Sequence, residues 1–377
     1  MNILIKPASG LCNMRCRYCF YEDETNNRSA KYLGIMDTQT ADKLIEEALK
    51  NAAKQEGVTF SFQGGEPTLA GIDYFRHFVE QVQLRNQHYR VPVWYAIQTN
   101  GLVLSDEMLD FFAKHKFLVG VSLDGSKAIH DTNRVDPQNL GTWEKIVHNM
   151  NRLIEKHVNV NILCVVTKAC ARSPRKIYTS LKKLNCNYLQ FIACLDPLET
   201  SRGQMPYSLL PDEYGKFLCG LFDAWYLDWK NGQYVSIRLF DDYVHLAMGL
   251  PAGTCATSGS CGKYYVSEAD GSIYPCDFYV LDQWKLGNIS ENSLGEIMAA
   301  PKTATFFQEG SNRPKRCAAC RWEPLCGGGC RRDWIEANGE MENYYCPAFS
   351  AFFTYAYPRI QEIARAEYQA LRQRQRF

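Results

Sequence analysis

The stretch ILIKPASGLCNMRCRYC, residues 3–19, decides how the rest of the chain is read. A short apolar run, Ile3 to Lys6, leads into a loop carrying three cysteines, Cys12, Cys16 and Cys19. Four thiolates would close a structural zinc site or an electron-transfer cluster, whereas three at C-x3-C-x2-C spacing can hold a four-iron cluster with one iron left free for a small molecule. A site with an open corner does chemistry. The same spacing also serves a zinc knuckle completed by a distant ligand, so other parts of the chain have to separate the two readings.

Composition sets the outer limits. The chain has 377 residues and 46% hydrophobic content, enough for one large barrel plus a smaller appended module. Lys and Arg number 42 against 41 Asp and Glu, a formal net charge of +1 that gives no argument for nucleic acid or anionic lipid as main partner. The start, MNILIKPASG, is too short in apolar residues for a signal peptide, and no run approaches a membrane span, so a cytoplasmic location is expected. Sixteen cysteines in a reducing compartment are hard to explain as disulfides. Metal or cluster ligation is the better account, and clusters imply an oxygen-poor cell.

Apolar and β-branched runs alternate with stretches of helical period, the signature of βα units around a parallel sheet. The strand candidates are Ile3 to Lys6, Val58 to Gln63, Val93 to Thr99, Leu118 to Leu123, Val158 to Val166 and Tyr188 to Ala193. Between them, Asp37 to Gln55 opens on a capping residue and sets Ala41, Leu44, Ile45, Ala48 and Leu49 on one face. Similar patterns follow at Tyr74 to Asn86, Asp106 to His115, Trp143 to His157 and Pro174 to Leu184. Six such units predict an α/β fold, a partial (β/α)6 barrel open on one side. Beyond it, Asp212 to Asn231 reads as a long helix and Ile237 to Gly249 as a connector, which places a boundary near residue 235. The segment Ala348 to Arg376 has helical period, and its basic end RQRQRF suits a solvated helix terminus.

In such barrels the working groups sit where strands end and loops begin. The cysteine loop follows the first strand. After the second comes Gly64-Gly65-Glu66-Pro67, two residues without side chains that let a ligand approach the backbone, with a carboxylate next to them. The third strand ends in Gln98-Thr99-Asn100-Gly101 and the fourth in Ser122-Leu123-Asp124-Gly125, facing the same mouth. Read singly, each could equally be a turn or a helix cap.

The cysteine spacing, with Tyr18 just before the last cysteine, resembles that of the radical S-adenosylmethionine (SAM) enzymes. The resemblance implies that the free iron binds the amino and carboxylate groups of SAM, and that one electron cleaves the sulfonium to a 5′-deoxyadenosyl radical. It carries the amino-group contact to Gly64, Gly65, Glu66 and Pro67, and makes Ser122 and Arg134 partners of the SAM carboxylate, a role that suits a guanidinium fork. Asn100 is expected near the ribose.

The second half holds Cys255, Cys261, Cys276, Cys317, Cys320, Cys326, Cys330 and Cys346. Eight ligands make two closed four-cysteine sites, and a zinc ribbon would also use the run at 317–330. The pattern C-x2-C-x5-C-x3-C, followed by a distant cysteine and preceded by Gly271 to Cys276, is similar to the SPASM extension of radical SAM peptide-modifying enzymes. In that family the ligands interleave. The resemblance therefore assigns Cys255, Cys261, Cys276 and Cys330 to a first auxiliary cluster and Cys317, Cys320, Cys326 and Cys346 to a second, giving three 4Fe-4S clusters in all. Gly327 to Gly329 fit a chain wrapping tightly around metal. The other five cysteines, Cys164, Cys170, Cys186, Cys194 and Cys219, read as packing residues.

With both auxiliary clusters fully ligated, a substrate needs a separate base. Asp277, beside Cys276 in YPCDFYV, is a candidate to take a proton from a thiol or hydroxyl, and read alone it is equally a solvated turn aspartate. At this point the resemblance narrows to the anaerobic sulfatase-maturating enzymes, carried by IKPASGLCNMRCRYCFY, FQGGEPTLAG, QTNG, VGVSLDG, CGKYYVSEADGSIYPCDFYVLDQWKLGNI and CAACRWEPLCGGGCRRDW. It implies oxidation of a cysteine or serine in a sulfatase polypeptide to Cα-formylglycine, with Asp277 as the base and the auxiliary clusters relaying an electron outward. The implied partners are that polypeptide, entering as an extended peptide, and an electron donor such as flavodoxin or ferredoxin. Tyr264-Tyr265 and Phe278-Tyr279 line its path or serve as core aromatics. A SPASM enzyme installing a thioether, crosslink or epimerised residue on a ribosomal peptide shares the scaffold. Such enzymes often carry an N-terminal peptide-recognition domain, for which a first strand at Ile3 leaves no room.

Overall fold

The computed structural model describes residues 1–262 and 264–374, so the last three residues of the basic end RQRQRF lie outside the described residues. Six parallel strands form the body: β1 (Asn2–Ile5), β2 (Val58–Phe62), β3 (Val93–Thr99), β4 (Leu118–Ser122), β5 (Asn159–Val166) and β6 (Tyr188–Ala193). Each is followed by helix before the next begins, and the six stand side by side in chain order. The expected strands and helices are present with ends shifted by a few residues, where caps rather than periodicity decide. The helix Thr38–Asn51, for example, starts where Asp37 accepts a hydrogen bond from the Thr40 amide at 2.7 Å.

The core lies between this sheet and its helices. Phe60 and Phe62 of β2 meet Phe75 and Phe78 of the helix Ile72–Tyr89, with Phe62 5.1 Å from Phe75 and edge-on to it.

Four short strands carry the sheet further than periodicity indicated. β7 (Ser236–Ile237) adds parallel to β6 at one edge. At the other, β8 (Tyr265–Ser267) pairs parallel with β1, followed by antiparallel β9 (Ser272–Tyr274) and β10 (Gly287–Asn288). The order is β10-β9-β8-β1-β2-β3-β4-β5-β6-β7. Strands of two or three residues are too short to show an alternation.

The expected connector at 237–249 is a correction: Arg238–Ala247 is a helix. Its apolar face is Phe240, Tyr243 and Val244, at helical spacing, and it is hidden in the sequence by Asp241 and Asp242. Asp242 is buried because it accepts from the Gly253 amide at 2.9 Å and the Thr257 hydroxyl at 2.7 Å. The chain ends in the helix Cys346–Arg374, which packs against the long helix Pro211–Lys230. Among the described residues no helix is long and apolar enough to cross a membrane.

Candidate active site and cluster sites

The cysteine loop leaves β1 and is held from three sides. The amides of Arg15 and Arg17 donate to the carbonyls of Val135 and Asn133 at 2.8 and 2.9 Å, and the Glu66 amide donates to the Leu11 carbonyl at 2.7 Å. Gly65, at φ +47°, lies so close that a Cβ there would stand 2.2 Å from the Leu11 oxygen. Asn100 donates to the Asn13 side chain at 2.8 Å. Burial pushes the Cys12 thiol up to about 11 and Cys16 to about 12. Bound iron overrides that preference, because a coordinating thiol is deprotonated outright.

A cavity of about 180 Å³ opens at the carboxyl ends of the strands. Its lining includes the three loop cysteines, and with them Gly64, Gly65, Asn100, Ser122, Arg134 and Asp277. Glu66 and Pro67 are buried outside that lining. The Glu66 carboxylate is fully engaged by the protein, accepting from the Thr68 hydroxyl at 2.7 Å, the Thr99 hydroxyl at 2.8 Å and the Asn100 amide at 2.7 Å. Burial still pushes its pKa up. Ser122 accepts from Gln98 at 3.0 Å.

Arg134 is aimed by Asp124, to which its Nε donates at 3.0 Å. Asp124 also accepts from the Val165 amide at 2.9 Å and from the Tyr18 hydroxyl. One guanidinium nitrogen is 4.0 Å from the Cys16 sulfur, so a fixed positive charge stands beside the open-cornered site. That suits an anionic group held there.

Asp277 comes from the far module and lies 4% exposed. Its Oδ2 accepts from the Tyr21 hydroxyl at 2.7 Å and the Gln63 amide at 3.2 Å. Among the described residues its Oδ1 has no hydrogen-bond partner; it faces the Lys6 ammonium at 3.4 Å, which stands equally far from Glu24. Burial pushes the Glu24 carboxyl up to about 8, against the pull of Lys6. Sequence reasoning missed Lys6, Tyr21, Glu24 and Gln63. The available signal was a lysine closing an apolar strand and a glutamine closing the next, both at the carboxyl ends.

The other eight cysteines fall into two groups by their mutual influence. Burial is the first cause of every shift among them; after it, Cys255 raises Cys261, Cys276 and Cys330, and Cys276 also raises Cys330. Cys326 is raised instead by Cys346, Cys317 and Cys320. Cys330 thus sides with Cys276 although Cys326 is only four residues away in sequence. The second group lines a cavity of about 960 Å³. In the first, a Cβ on Gly310 would stand 2.4 Å from the Cys261 sulfur, so glycine there leaves that sulfur its room. Among the described residues no three His, Cys, Asp or Glu side chains converge tightly enough for a single metal ion. All-thiolate sets of four fit iron–sulfur clusters.

Residues 7–168 match the Radical SAM superfamily, and residues 261–321 match SPASM, an iron–sulfur cluster-binding domain. The chain is 42% identical to a cysteine-type anaerobic sulfatase-maturating enzyme of Clostridium novyi, over 97% of each chain. A serine-type anaerobic sulfatase-maturating enzyme of Bacteroides thetaiotaomicron is 28% identical, over 94% of this chain and 89% of that one. Among solved structures, native anSMEcpe with bound AdoMet and Cp18Cys peptide superposes with a TM-score of 0.91 at 40% identity, covering 97% of this chain and 99% of that one. Streptococcus suis SuiB bound to S-adenosylmethionine shares the fold, with a TM-score of 0.59 at 16% identity, over 88% of this chain and 73% of that one.

Proposed function

The chain belongs to the anaerobic sulfatase-maturating enzymes of the radical SAM superfamily, and from that premise we propose that it oxidises a cysteine of a sulfatase polypeptide to Cα-formylglycine. Iron–sulfur clusters and SAM are its cofactors. The proposed number is three 4Fe-4S clusters, one on Cys12, Cys16 and Cys19 and two on the interleaved sets of four. Residues 1–235 supply the barrel, 236–346 the SPASM module and 347–377 the C-terminal segment, helical to Arg374 among the described residues. Cysteine is favoured over serine because the cysteine-type relatives stand at 41–42% identity and the serine-type at 28–30%.

One observation carries the reading. Asp277, delivered by the SPASM hairpin, reaches the same small cavity as the three loop cysteines. A carboxylate there can meet a substrate placed against SAM. Bound together, SAM and the clusters supply a carbon radical that takes a hydrogen atom from the substrate Cβ and an acceptor for the electron then released. Arg134 and Ser122 hold the SAM carboxylate, Gly64 and Gly65 offer backbone to its amino group, and Asn100 fixes the loop below. Asp277 takes the thiol proton, with Tyr21 and Gln63 orienting its carboxylate. Loss of a hydrogen atom, a proton and an electron leaves a thioaldehyde, which water converts to the aldehyde and sulfide. A small carrier such as flavodoxin or ferredoxin supplies the reducing electron.

The test is mass spectrometry of an anaerobic reaction containing reductant, SAM and either of two short peptides, one with Cys-x-Pro-x-Arg and one with Ser in its place. Aldehyde from the cysteine peptide, with matching 5′-deoxyadenosine, is expected. SAM cleavage with both peptides unchanged would assign the chain a different peptide substrate.

A further inference from the structure

Tyr264 sits between the two parts of the site that must act together. Its hydroxyl lies 3.6 Å from the Cys276 sulfur, and the Asp277 amide donates to the same oxygen at 3.4 Å. The ring packs against Leu4, Val266, Tyr274 and Val280, so it is fixed on the β1–β8 seam. An amide N–H can only donate, so the Tyr264 oxygen is the acceptor toward Asp277 and its own proton must point elsewhere. Among the described residues, the side chain within hydrogen-bond reach of that hydroxyl is the Cys276 sulfur, with the Asp277 carboxylate and Cys255 standing farther off. A sulfur bound to iron carries no proton, which makes the hydroxyl the donor. The sulfurs of Cys317, Cys320, Cys326 and Cys346 receive no side-chain hydrogen bond among the described residues.

We propose that Tyr264 is a positioning residue whose hydroxyl, by hydrogen-bonding the Cys276 sulfur, raises the electron affinity of the cluster on Cys255, Cys261, Cys276 and Cys330 while fixing the backbone of Asp277. The inference rests on the oxidative reading above, in which the cluster beside Asp277 takes the substrate's electron. A hydrogen bond to a ligand sulfur withdraws charge from the cluster and favours its reduced form. Proton acceptor and electron acceptor are then held in register through one hydroxyl.

The experiment is an EPR-monitored redox titration of the reconstituted full chain carrying Cys12→Ala, Cys16→Ala and Cys19→Ala, with and without Tyr264→Phe. That background leaves only the auxiliary clusters to be read. Phenylalanine keeps the packing and removes the hydroxyl. One of the two auxiliary signals should move to lower potential and the other stay in place, with iron content unchanged. Two unmoved potentials at full iron content would overturn the proposal. Should Tyr264→Phe lose iron, the same titration on the chain made with 3-fluorotyrosine in place of tyrosine decides instead: the more acidic phenol donates more strongly, so one auxiliary potential is expected to rise, and two unmoved potentials overturn the assignment. The unmutated enzyme is assayed on the cysteine peptide alongside. No aldehyde there would sink the sulfatase reading, whereas the potentials test Tyr264 whatever the peptide does.

Discussion

Lys6 stands between two buried carboxylates, 3.4 Å from Glu24 and 3.4 Å from Asp277. Burial, with Asp277 as a second carboxylate beside the one ammonium, pushes Glu24 up to about 8. The sign for stability follows from linkage. A carboxyl whose folded pKa exceeds its unfolded one contributes stability that is full below the unfolded value and is lost as pH rises through the folded value. Between about pH 5 and about pH 8 the contribution of Glu24 should therefore fall away, so Glu24→Gln should gain melting temperature relative to the unmutated protein as pH rises across that range. Calorimetry across the range checks it; parallel slopes would remove Glu24 as the cause. At the same scale, Asp277→Asn keeps the size of the side chain but removes its basicity and its ion pair with Lys6. It should abolish aldehyde formation while iron content and SAM cleavage persist; undiminished turnover would take Asp277 out of the mechanism. Asp277 was legible because it adjoins Cys276, whereas Lys6 and Glu24 stand about 250 residues away and meet it only in the folded chain.

Among the elements, the loop after β2 acts on the cysteine loop through backbone rather than side chains. Gly65 leaves no room for a Cβ against the Leu11 oxygen, 2.2 Å away, and neither partner is a flexible side chain that could yield. Gly65→Ala should displace Cys12 and lose about four of about twelve irons and SAM cleavage, while the auxiliary clusters assemble. Iron analysis with a 5′-deoxyadenosine assay reads both; full iron and normal cleavage would mean the loop tolerates the shift. The Gly-Gly pair and its place after the second strand could be read from sequence because βα periodicity locates strand ends. Glu66 shows where that reading ran short. Its carboxylate turns inward to Thr68 two residues on and to Thr99 and Asn100 at the end of β3, and the latter two donors lie beyond the reach of a local reading. The helix Arg238–Ala247 and the strands β7 to β10 were hidden for a related reason: their partners lie elsewhere in the chain, and the pieces themselves are too short or too polar to carry a period.

At the scale of the molecule, the SPASM hairpin is an extension of the barrel sheet, and the seam between β1 and β8 has to hold Asp277 against the cavity. Three backbone-paired residues would be a weak joint by themselves. Arg28, on the stretch after the cysteine loop, crosses the seam to Glu268 just past β8, with the pair 2.6 Å apart and side chains 2% and 1% exposed. The same guanidinium donates to Ser9 at 3.1 Å, so the loop leaving β1, the Arg28 stretch and the hairpin are tied at one point. A buried pair of this kind is costly to break, because the remaining charge loses its counter-ion out of reach of water; removing one member typically loses ~3–5 kcal/mol, whereas replacing both with apolar groups can be near neutral. Arg28→Met should therefore lower the melting temperature sharply, and adding Glu268→Met should restore part of it. If the double variant instead melts as low as the sum of the two single losses, the pair contributes nothing as a pair, and the seam must be held by the strand pairing and its apolar packing alone.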